Sequence, residues 1–316
     1  MIAILLSTFN GEKYLRELLD SLFTQTYKDF ILIIRDDGSI DGTVYILEEY
    51  KKKHKNIILL DNRENKGVIG SFSYLLEYAV HNTNCDYFMF CDQDDVWKEN
   101  KIEITLNKMQ EIEKQKGKGI PILIHTDLEV VDENLNLISK SFWKYCSISP
   151  KLNSFNRLLV QNTVTGCTVM INRVLATISI PIPKGVIMHD WWLGLVAAKF
   201  GVIEFLKHPT IKYRQHENND TGAESYRKVF LKNIVKVVRK VLLRENVIFV
   251  EYEGCIHQAK LFLDRYKDRL DSNSKEMLNS FVFIKNKSFF HKRKIILKYK
   301  ILKQGFFKNI GFLLIL

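Results

Sequence analysis

The stretch FILIIRDDGSIDGTVYILEEYKKKH, residues 30–54, contains the features that decide the fold. It begins with a run that is apolar on both faces, passes through a loop rich in aspartate and ends in a helical pattern. A strand that is apolar on both faces must be covered on both sides, which is typical of a parallel sheet between layers of helices. The stretch therefore predicts one strand–loop–helix unit of an α/β protein.

The same alternation runs through the first hundred residues. Further apolar runs occupy residues 2–7, 56–61 and 87–90, and helical patterns separate them. We therefore predict an α/β fold with a mostly parallel central sheet flanked by helices. In such sheets ligands bind at the carboxyl ends of the strands, which is where the polar clusters of this sequence fall.

After residue 120 the rhythm is less regular, but strands and one helix are still predicted. The strands are PILIHTD (121–127), LEVVDE (128–133), TGCTVMI (165–171), VIEFLK (202–207) and TIKYRQH (210–216), and the helix is HDWWLGLVAAKFG (189–201), closed by Gly201. Beyond about residue 223 the pattern is helical and contains no proline. We predict one domain at 1–222, with halves at about 1–115 and 116–222, followed by a basic helical region at 223–316.

Composition excludes several classes of protein. The chain has 316 residues, of which 46% are hydrophobic and 26% charged, so it is not a disordered protein. Its five cysteines are scattered without a C-x-x-C pair, which argues against a disulfide framework or a cysteine zinc site. The start, MIAILLSTFN, lacks the basic residues of a signal peptide, and no uninterrupted apolar run approaches the roughly 20 residues of a membrane span. We expect a cytoplasmic protein.

The net charge of +11 is concentrated towards the C-terminal end. Residues 227–316 contain 21 Lys and Arg against 7 Asp and Glu, whereas residues 1–226 contain 26 against 29. After Glu276 nine Lys or Arg alternate with Phe, Ile and Leu, without any acidic residue. A solvated helical face is one alternative; nucleic-acid binding is another, but only charge supports it, and we expect no nucleic acid. The interleaving favours adsorption to an anionic membrane, on the inner face of the cell membrane.

Three carboxylates follow the apolar run in YFMFCDQDDVW, residues 87–97. Asp92, Asp94 and Asp95 repel one another unless something positive compensates their charges. Divalent ions such as Mg²⁺ or Mn²⁺ bind carboxylate oxygens and leave positions for diphosphate oxygens. The alternative is a solvated turn in which Asp95 caps a helix that starts near Trp97. A haloacid-dehalogenase-like enzyme would need an aspartate in the first loop, STFNGE, which has none.

A second acidic cluster, RDDGSIDGT, residues 35–43, ends the neighbouring predicted strand. As a turn it would place Asp41 at the N-terminus of the next helix. As a binding site, one of its carboxylates would accept a hydrogen bond from the ring N–H of uracil or thymine. Neither G-x-G-x-x-G nor G-x-x-x-x-G-K-[ST] occurs, so a nucleotide bound at this edge would depend on carboxylates and a metal.

Together these motifs resemble a known family. STFNGEKYLRELLDSLFTQTY (7–27), DDGSIDGT (36–43), NKGVIGSF (65–72), CDQDDVW (91–97) and HDWW (189–192) resemble, in this order, a family-2 glycosyltransferase with the GT-A fold. CDQDDVW, TGCTVMINR (165–173), MHDWWLGLVAAKFG (188–201) and YRQHENNDTGA (213–223) are similar to the bacterial branch of rhamnosyltransferases. The Q-x-x-R-W signature of processive synthases is absent, which indicates transfer of one sugar per encounter.

The resemblance implies inverting transfer of a sugar from a dTDP- or UDP-sugar, dTDP-L-rhamnose among them, to a glycan or lipid-linked acceptor. On the nucleotide-sugar side we expect Ser7, Thr8, Phe9, Asn10, Asp36, Asp37, Lys66, Gly67, Asp92 and His216. The candidate ligands of Mg²⁺ or Mn²⁺ are Asp94 and Asp95, and the sequence does not rank them. Asp190 is implied as the general base. On the acceptor side we expect Thr165, Gly166, Trp191 and Trp192.

Each of these residues also has a structural interpretation. Asp190 before a helix is commonly an N-cap, and His216 a hydrogen-bonded surface residue. Gly166 is typical of a bulge in a core strand, and one of Trp191 and Trp192 is expected in the core. For the whole chain, the alternatives are a nucleotidyltransferase on a similar sheet and an inactive binder of glycans or sugar nucleotides.

Overall fold

A computed structural model of the chain describes residues 1–60, 64–216 and 250–315. The predicted domain boundary near residue 222, and the beginning of the helical region at 223–249, lie outside the described residues. In the described part, no helix is both long enough and apolar enough to span a bilayer.

The described strands form one mixed sheet. They are β1 (Ile2–Thr8), β2 (Phe30–Asp36), β3 (Ile57–Leu60), β4 (Tyr87–Cys91), β5 (Val96–Trp97), β6 (Ile122–Val131), β7 (Leu137–Ser139), β8 (Met170–Asn172) and β9 (Val202–Arg214). Their order is β3-β2-β1-β4-β8-β6-β9-β5, and β7 pairs with β6. The first four strands are mutually parallel, as the alternating runs predict. The short strand β8 is antiparallel to both β4 and β6, and it joins the two halves of the sheet.

Helices cover both faces of this sheet. Those in the described residues are α1 (Glu12–Phe23), α2 (Thr43–Lys53), α3 (Gly67–Asn82), α4 (Lys101–Lys116), α5 (Phe142–Tyr145), α6 (Phe155–Leu158), α7 (Arg173–Ser179), α8 (His189–Phe200), α9 (Val250–Tyr266), α10 (Ser272–Val282), α11 (Phe289–Lys298) and α12 (Phe306–Ile315). The α/β class, and the helical C-terminal region as far as it is described, are confirmed.

Strand β1 shows why the sequence folds into layers. All of its apolar side chains are buried, and they alternate between two cores because successive residues of a strand point to opposite faces. Ile4 and its neighbours on one face pack with α1, α2 and α4. Leu5 on the other face packs with α3, α7, α8 and the C-terminal helices. The C-terminal helices therefore share a core with the sheet.

Several expected strands differ from those observed. PILIHTD and LEVVDE form the single strand β6, whose register shifts around Asp127. That buried carboxylate accepts hydrogen bonds from Ser141 and the backbone N–H of Trp143, so a polar residue fits inside a continuous strand. The last two predicted strands likewise form β9 alone. The strand predicted at TGCTVMI is shorter than expected. Gly166–Thr168 forms a 3₁₀ turn, and the strand β8 covers only Met170–Asn172.

Helix α8 ends at Gly201, as predicted. A Cβ at this position would lie 1.8 Å from the backbone oxygen of Pro121, which is too close for any side chain. Gly201 therefore permits the close approach between the end of α8 and the start of β6.

Candidate functional site

A cavity of about 490 Å³ opens at the carboxyl ends of β1, β2 and β4. Its lining residues are Ser7, Thr8, Phe9, Asp37, Asn65, Gly67, Val68, Phe72, Asp92, Gln93, Asp94, Thr165, Gly166, Met188, His189, Asp190 and Tyr213. Most of the residues singled out from the sequence therefore face one space, although more than 180 residues separate the first from the last. Asn10, Asp36, Lys66, Asp95, Trp191, Trp192 and His216 do not line it.

The two aspartates that follow β2 have different surroundings. Asp36 accepts hydrogen bonds from Thr8 Oγ1 at 2.9 Å and from Ser39 Oγ at 2.6 Å, so it fixes the turn after the strand. Asp37 lines the cavity, and its carboxylate accepts the backbone N–H groups of Lys66 at 2.9 Å and of Gly67 at 2.8 Å. Asp37 therefore faces the cavity, whereas Asp36 stabilises the turn that follows the strand.

Lys66 and Gly67 contribute through their backbone. Gly67 has φ +65, a conformation that side chains rarely adopt, and it begins α3 directly opposite Asp37. The Lys66 ammonium turns away from Asp37 and pairs with Glu64 at 2.6 Å. Arg35, which the sequence analysis did not single out, is fully buried beneath this corner and donates to Asp37 and to Ser71.

The loop after β1 is attached to the loop after β4 by Gln93. The amide of Gln93 accepts from the Phe9 N–H at 2.8 Å and donates to the Phe9 carbonyl at 2.9 Å. Gly11 passes so close that a Cβ there would lie 2.3 Å from the Gln93 oxygen. Asn10 shapes the loop from outside the cavity, since its side chain accepts the Ile40 N–H at 3.0 Å. Gln93 was not predicted, although it stands between the aspartates of CDQDDVW.

Asp92 and Asp94 line the cavity, whereas Asp95 is completely buried behind them. Burial, together with the charges of Asp94 and Asp92, raises the pKa of Asp95 well above its ordinary value. Asp95 accepts the backbone N–H of Arg214 at 3.2 Å, and α4 begins only at Lys101. Asp95 therefore does not cap a helix near Trp97, which corrects the structural alternative for this residue.

Two further groups stand close to these carboxylates. His216 Nε2 lies 2.8 Å from Asp94 Oδ2. The histidine therefore contacts a residue that lines the cavity without lining it itself. Ligand atoms of Asp92, Asp95 and Cys167 lie within 4.8 Å of one another, close enough to bind one ion. One oxygen of Asp95 has no partner within the part of the chain that the structure describes. The carboxylate oxygens of this set suit Mg²⁺ or Mn²⁺, whereas burial raises the pKa of the Cys167 thiol well above its ordinary value and so disfavours the thiolate that a softer metal would need.

Arg214 holds the loop of Asp94 from behind. Its guanidinium, only 2% exposed, donates to the Asp94 carbonyl at 2.9 Å, to the Glu133 carbonyl and to the Glu17 carboxylate. It also lies 4.4 Å from the centre of the Tyr14 ring. One side chain thus connects α1, the loop after β4 and the turn after β6.

Asp190 lines the same cavity from the first turn of α8. It is only 6% exposed, and burial raises its pKa from 3.8 to about 7 although several hydrogen bonds oppose the change. Its Oδ1 accepts the Trp191 N–H at 2.6 Å and the side-chain amide of Asn162 at 3.3 Å. Asn162, which was not predicted, thus orients the carboxylate. A carboxyl with a pKa near 7 is suited to take up a proton at neutral pH.

The neighbours of Asp190 are mainly structural. His189 packs against Phe72 and Phe90, and burial lowers its pKa to about 3, so it is neutral. A Cβ on Gly166 would lie 3.0 Å from His189 Nε2, so the glycine allows the acceptor-side loop to approach α8.

The two tryptophans fall outside the cavity. Trp192 is fully buried and stacks on Tyr266, which corrects the expectation that it faces an acceptor. Trp191 donates its ring N–H to the Leu158 carbonyl, and it is only partly buried.

Comparison with known proteins agrees with this geometry. The family model described as glycosyl transferase family 2 matches residues 3–136. The chain contains a family-2 glycosyltransferase domain. The matched residues of this domain include both acidic loops, whereas Asp190 and His216 lie beyond them.

The chain is also similar to individual proteins. It is 29% identical to the dTDP-rhamnosyl transferase RfbG of Shigella flexneri over 230 residues, which cover 69% of this chain and 74% of RfbG. S. aureus TarS 1-349 in complex with UDP-GlcNAc superposes with a TM-score of 0.53 at 17% identity, over 95% of this chain and 89% of that one.

A second solved structure is the mannosyltransferase PcManGT of Pyrobaculum calidifontis in complex with GDP-Man and Mn²⁺. Its TM-score is 0.51 at 13% identity, over 99% of this chain and 78% of that one. The GT-A fold and the glycosyltransferase class predicted from the sequence are confirmed.

Proposed function

We propose that the chain is an inverting, metal-dependent glycosyltransferase that moves a sugar from a nucleoside diphosphate to a hydroxyl of a bacterial surface glycan. One observation carries this proposal: the buried carboxyl of Asp190 faces the same cavity as Asp37, Asp92 and Asp94. A candidate base and a carboxylate cluster thus line one cavity of about 490 Å³, which can hold a sugar and its diphosphate.

The nucleoside belongs at the end of the cavity formed by β1 and β2. Asp37 offers carboxylate oxygens to a base N–H, and Thr8 and Phe9 border the same end. The similarity to a dTDP-rhamnosyl transferase supports dTDP-L-rhamnose as the donor. The UDP-GlcNAc bound by TarS supports a UDP-sugar as the alternative donor.

The diphosphate and a divalent ion belong beside Asp92 and Asp94. These residues fit Mg²⁺ or Mn²⁺ because both carboxylates face the cavity and His216 stands 2.8 Å from Asp94. We assign Asp94 as the principal ligand because it lines the cavity that the diphosphate would occupy, whereas Asp95, whose oxygen lies within 4.8 Å of ligand atoms of Asp92 and Cys167, is completely buried and would support the ion from outside the cavity. When bound, the ion would neutralise the departing nucleoside diphosphate. The Mn²⁺ in PcManGT supports a metal site in this fold.

Asp190 is the proposed general base. Its carboxylate takes the proton of the acceptor hydroxyl while that oxygen attacks the anomeric carbon. The bond between the anomeric carbon and the diphosphate oxygen breaks in the same step, and its electron pair leaves with the nucleoside diphosphate. A single displacement of this kind inverts the anomeric configuration. Asn162 and the Trp191 N–H hold the carboxylate in place for this step.

Product analysis tests the proposal. With a panel of nucleotide sugars and Mn²⁺, the wild type should release a nucleoside diphosphate and form a glycoside of inverted configuration, whereas Asp190→Asn and Asp94→Ala should lose transfer while remaining folded. Release of pyrophosphate would instead identify the alternative nucleotidyltransferase. Binding of the donor without any turnover would identify an inactive binder.

The acceptor is proposed to be lipid-linked, and the enzyme to work at the inner face of the cell membrane. The basic C-terminal region supports this position, since no acidic residue follows Glu276. A membrane-bound acceptor would meet an enzyme that is adsorbed on the same surface.

A further inference from the structure

The outward face of α12 is apolar. Phe307, Ile310 and Leu314 follow a spacing of three and then four residues, which places them on one side of the helix, and they are 64%, 41% and 59% exposed. Phe306 beside them is 74% exposed. The opposite side is packed into the protein, where Phe312 is 1% exposed and its ring lies 4.7 Å from that of Tyr252. The exposed aromatic side chains thus belong to a helix whose other side packs against the rest of the protein.

Helix α11 combines apolar and basic residues on its outward face. Phe290 and Leu297 are 80% and 56% exposed, and Lys294 and Lys298 occupy exposed positions of the same face. Its inward residues Ile295 and Ile296 are buried in the shared core. We call the exposed apolar and basic side chains of α11 and α12, taken together, the aromatic–basic face.

This face is attached to the acceptor half of the domain. The segment between α11 and α12 exchanges hydrogen bonds with residues 149–161: the Asn156 amide donates to the carbonyls of Tyr299 and Lys300, and the Gln304 side chain pairs with the backbone of Ser149. The Gln304 N–H also donates to Gln161, which immediately precedes Asn162. Asn162 contacts Asp190, so a short series of hydrogen bonds and neighbouring residues connects the face to the proposed base.

We propose that the aromatic–basic face docks on an anionic phospholipid bilayer and holds the acceptor wall of the cavity next to the membrane. Exposed phenylalanines would enter the headgroup region while the lysines contact anionic lipids. The lipid-linked nature of the acceptor rests on the proposed function, whereas membrane docking rests on the two helices alone.

Charge distinguishes a membrane from the other occupants of such a face. A symmetric contact with a second copy would place this surface against itself, and residues 277–316 contain nine Lys or Arg and no acidic residue, so like charges would meet. A nucleic-acid duplex would match the charge, but it presents phosphates outwards and would leave the exposed apolar side chains of α12 without apolar partners. An anionic bilayer satisfies both the charge and the apolar rings.

Vesicle co-sedimentation of the full chain tests the docking step. We expect binding to vesicles of equal parts phosphatidylcholine and phosphatidylglycerol, weakened by salt and by omission of phosphatidylglycerol. Phe306→Ser combined with Phe307→Ser should lower the partition coefficient about tenfold or more. The control, Leu137→Ser combined with Ile138→Ser, removes side chains of similar exposure on β7 and should bind as the wild type does. Equal binding by both double variants, or a change of oligomeric state in place of a change in binding, would overturn the proposal.

Transfer assays separate docking from the proposed chemistry. In the same vesicles the Phe306 and Phe307 variant should lose transfer to a lipid-linked acceptor about tenfold, and it should keep wild-type transfer to a water-soluble acceptor. Transfer to the lipid-linked acceptor at the wild-type rate would refute the docking step while leaving the glycosyltransferase intact. Absence of transfer by the wild type to either acceptor would refute the proposed function, and vesicle binding would still report on the face.

Discussion

Replacing Asp190 by asparagine should stabilise the protein, and by more as the pH rises. The carboxyl is 6% exposed, and burial raises its pKa from 3.8 to about 7. The folded chain therefore holds this proton more tightly than the unfolded chain does, so stability falls as the pH rises between these two values. Asparagine keeps an oxygen for the Trp191 N–H and for Asn162, and it carries no charge at any of these pH values.

The size of the effect follows from the change in pKa. Below pH 3.8 the carboxyl is neutral in both states, and the two proteins should differ little in stability. Above pH 7 it is ionised in both states, and the wild type has lost roughly 4 kcal/mol, at about 1.4 kcal/mol for each pH unit between the two pKa values. In a chain of 316 residues that corresponds to a difference of about 6 °C in Tm.

Calorimetric melting of both proteins at a series of pH values measures this difference. Titrations elsewhere in the chain are common to both proteins and cancel. Asp268→Asn, which changes an exposed carboxyl on the surface, is the control and should show a difference in Tm that does not vary with pH. A difference for Asp190→Asn that is constant across the pH range would refute burial as the source of the raised pKa, and with it the argument for a base poised near neutrality.

The remaining predictions concern activity, metal binding and packing. Because Asp190 must be ionised to take a proton, kcat/KM of the wild type should rise with pH and level off above about pH 8; a profile that is flat from about pH 5 would contradict its raised pKa. Arg214→Lys should weaken the Mn²⁺-induced rise in Tm, with a metal Kd raised about 10–100-fold, while Arg16→Lys on the exposed side of α1 leaves it unchanged; equal effects would reject the positioning role of Arg214. Gly201→Ala should lower the free energy of unfolding by about 1–3 kcal/mol or more, because the new Cβ would collide with Pro121. Gly119→Ala, with open space around it, should leave the stability unchanged in the same thermal melt. Similar melting of both variants would contradict the close approach at Gly201.

The sequence predicts those parts of the site that are local along the chain. The first four strands are continuous apolar runs, and the acidic residues that end them were expected where strand ends meet. Asp37, Asp92 and Asp94 therefore face one cavity as anticipated. Asp190 lines the same cavity, which the resemblance to the family implied and the spacing of residues alone did not.

The supporting residues could not be predicted, because their partners are distant in sequence. The Glu17 partner of Arg214 is 197 positions away, and Gln93 and Phe9 are 84 positions apart. Helical periodicity likewise does not decide which of Trp191 and Trp192 is buried. The helix α8 is apolar around most of its circumference, so its sequence shows no single buried side. Register shifts in β6 depend on hydrogen bonds to the buried Asp127, which no local pattern reveals.

The contact between Asp37 and the start of α3 has a consequence for how this sheet can treat a phosphate. In many nucleotide-binding proteins the first amides of a helix bind the phosphate and supply its positive environment. Here the amides of Lys66 and Gly67 are already saturated by the protein's own carboxylate. The carboxylate of Asp37 thus occupies the position at the start of α3 where an anionic ligand could otherwise bind. Under the proposed function, a diphosphate at this edge would take its countercharge from a divalent ion beside Asp92 and Asp94, not from the amides that begin α3.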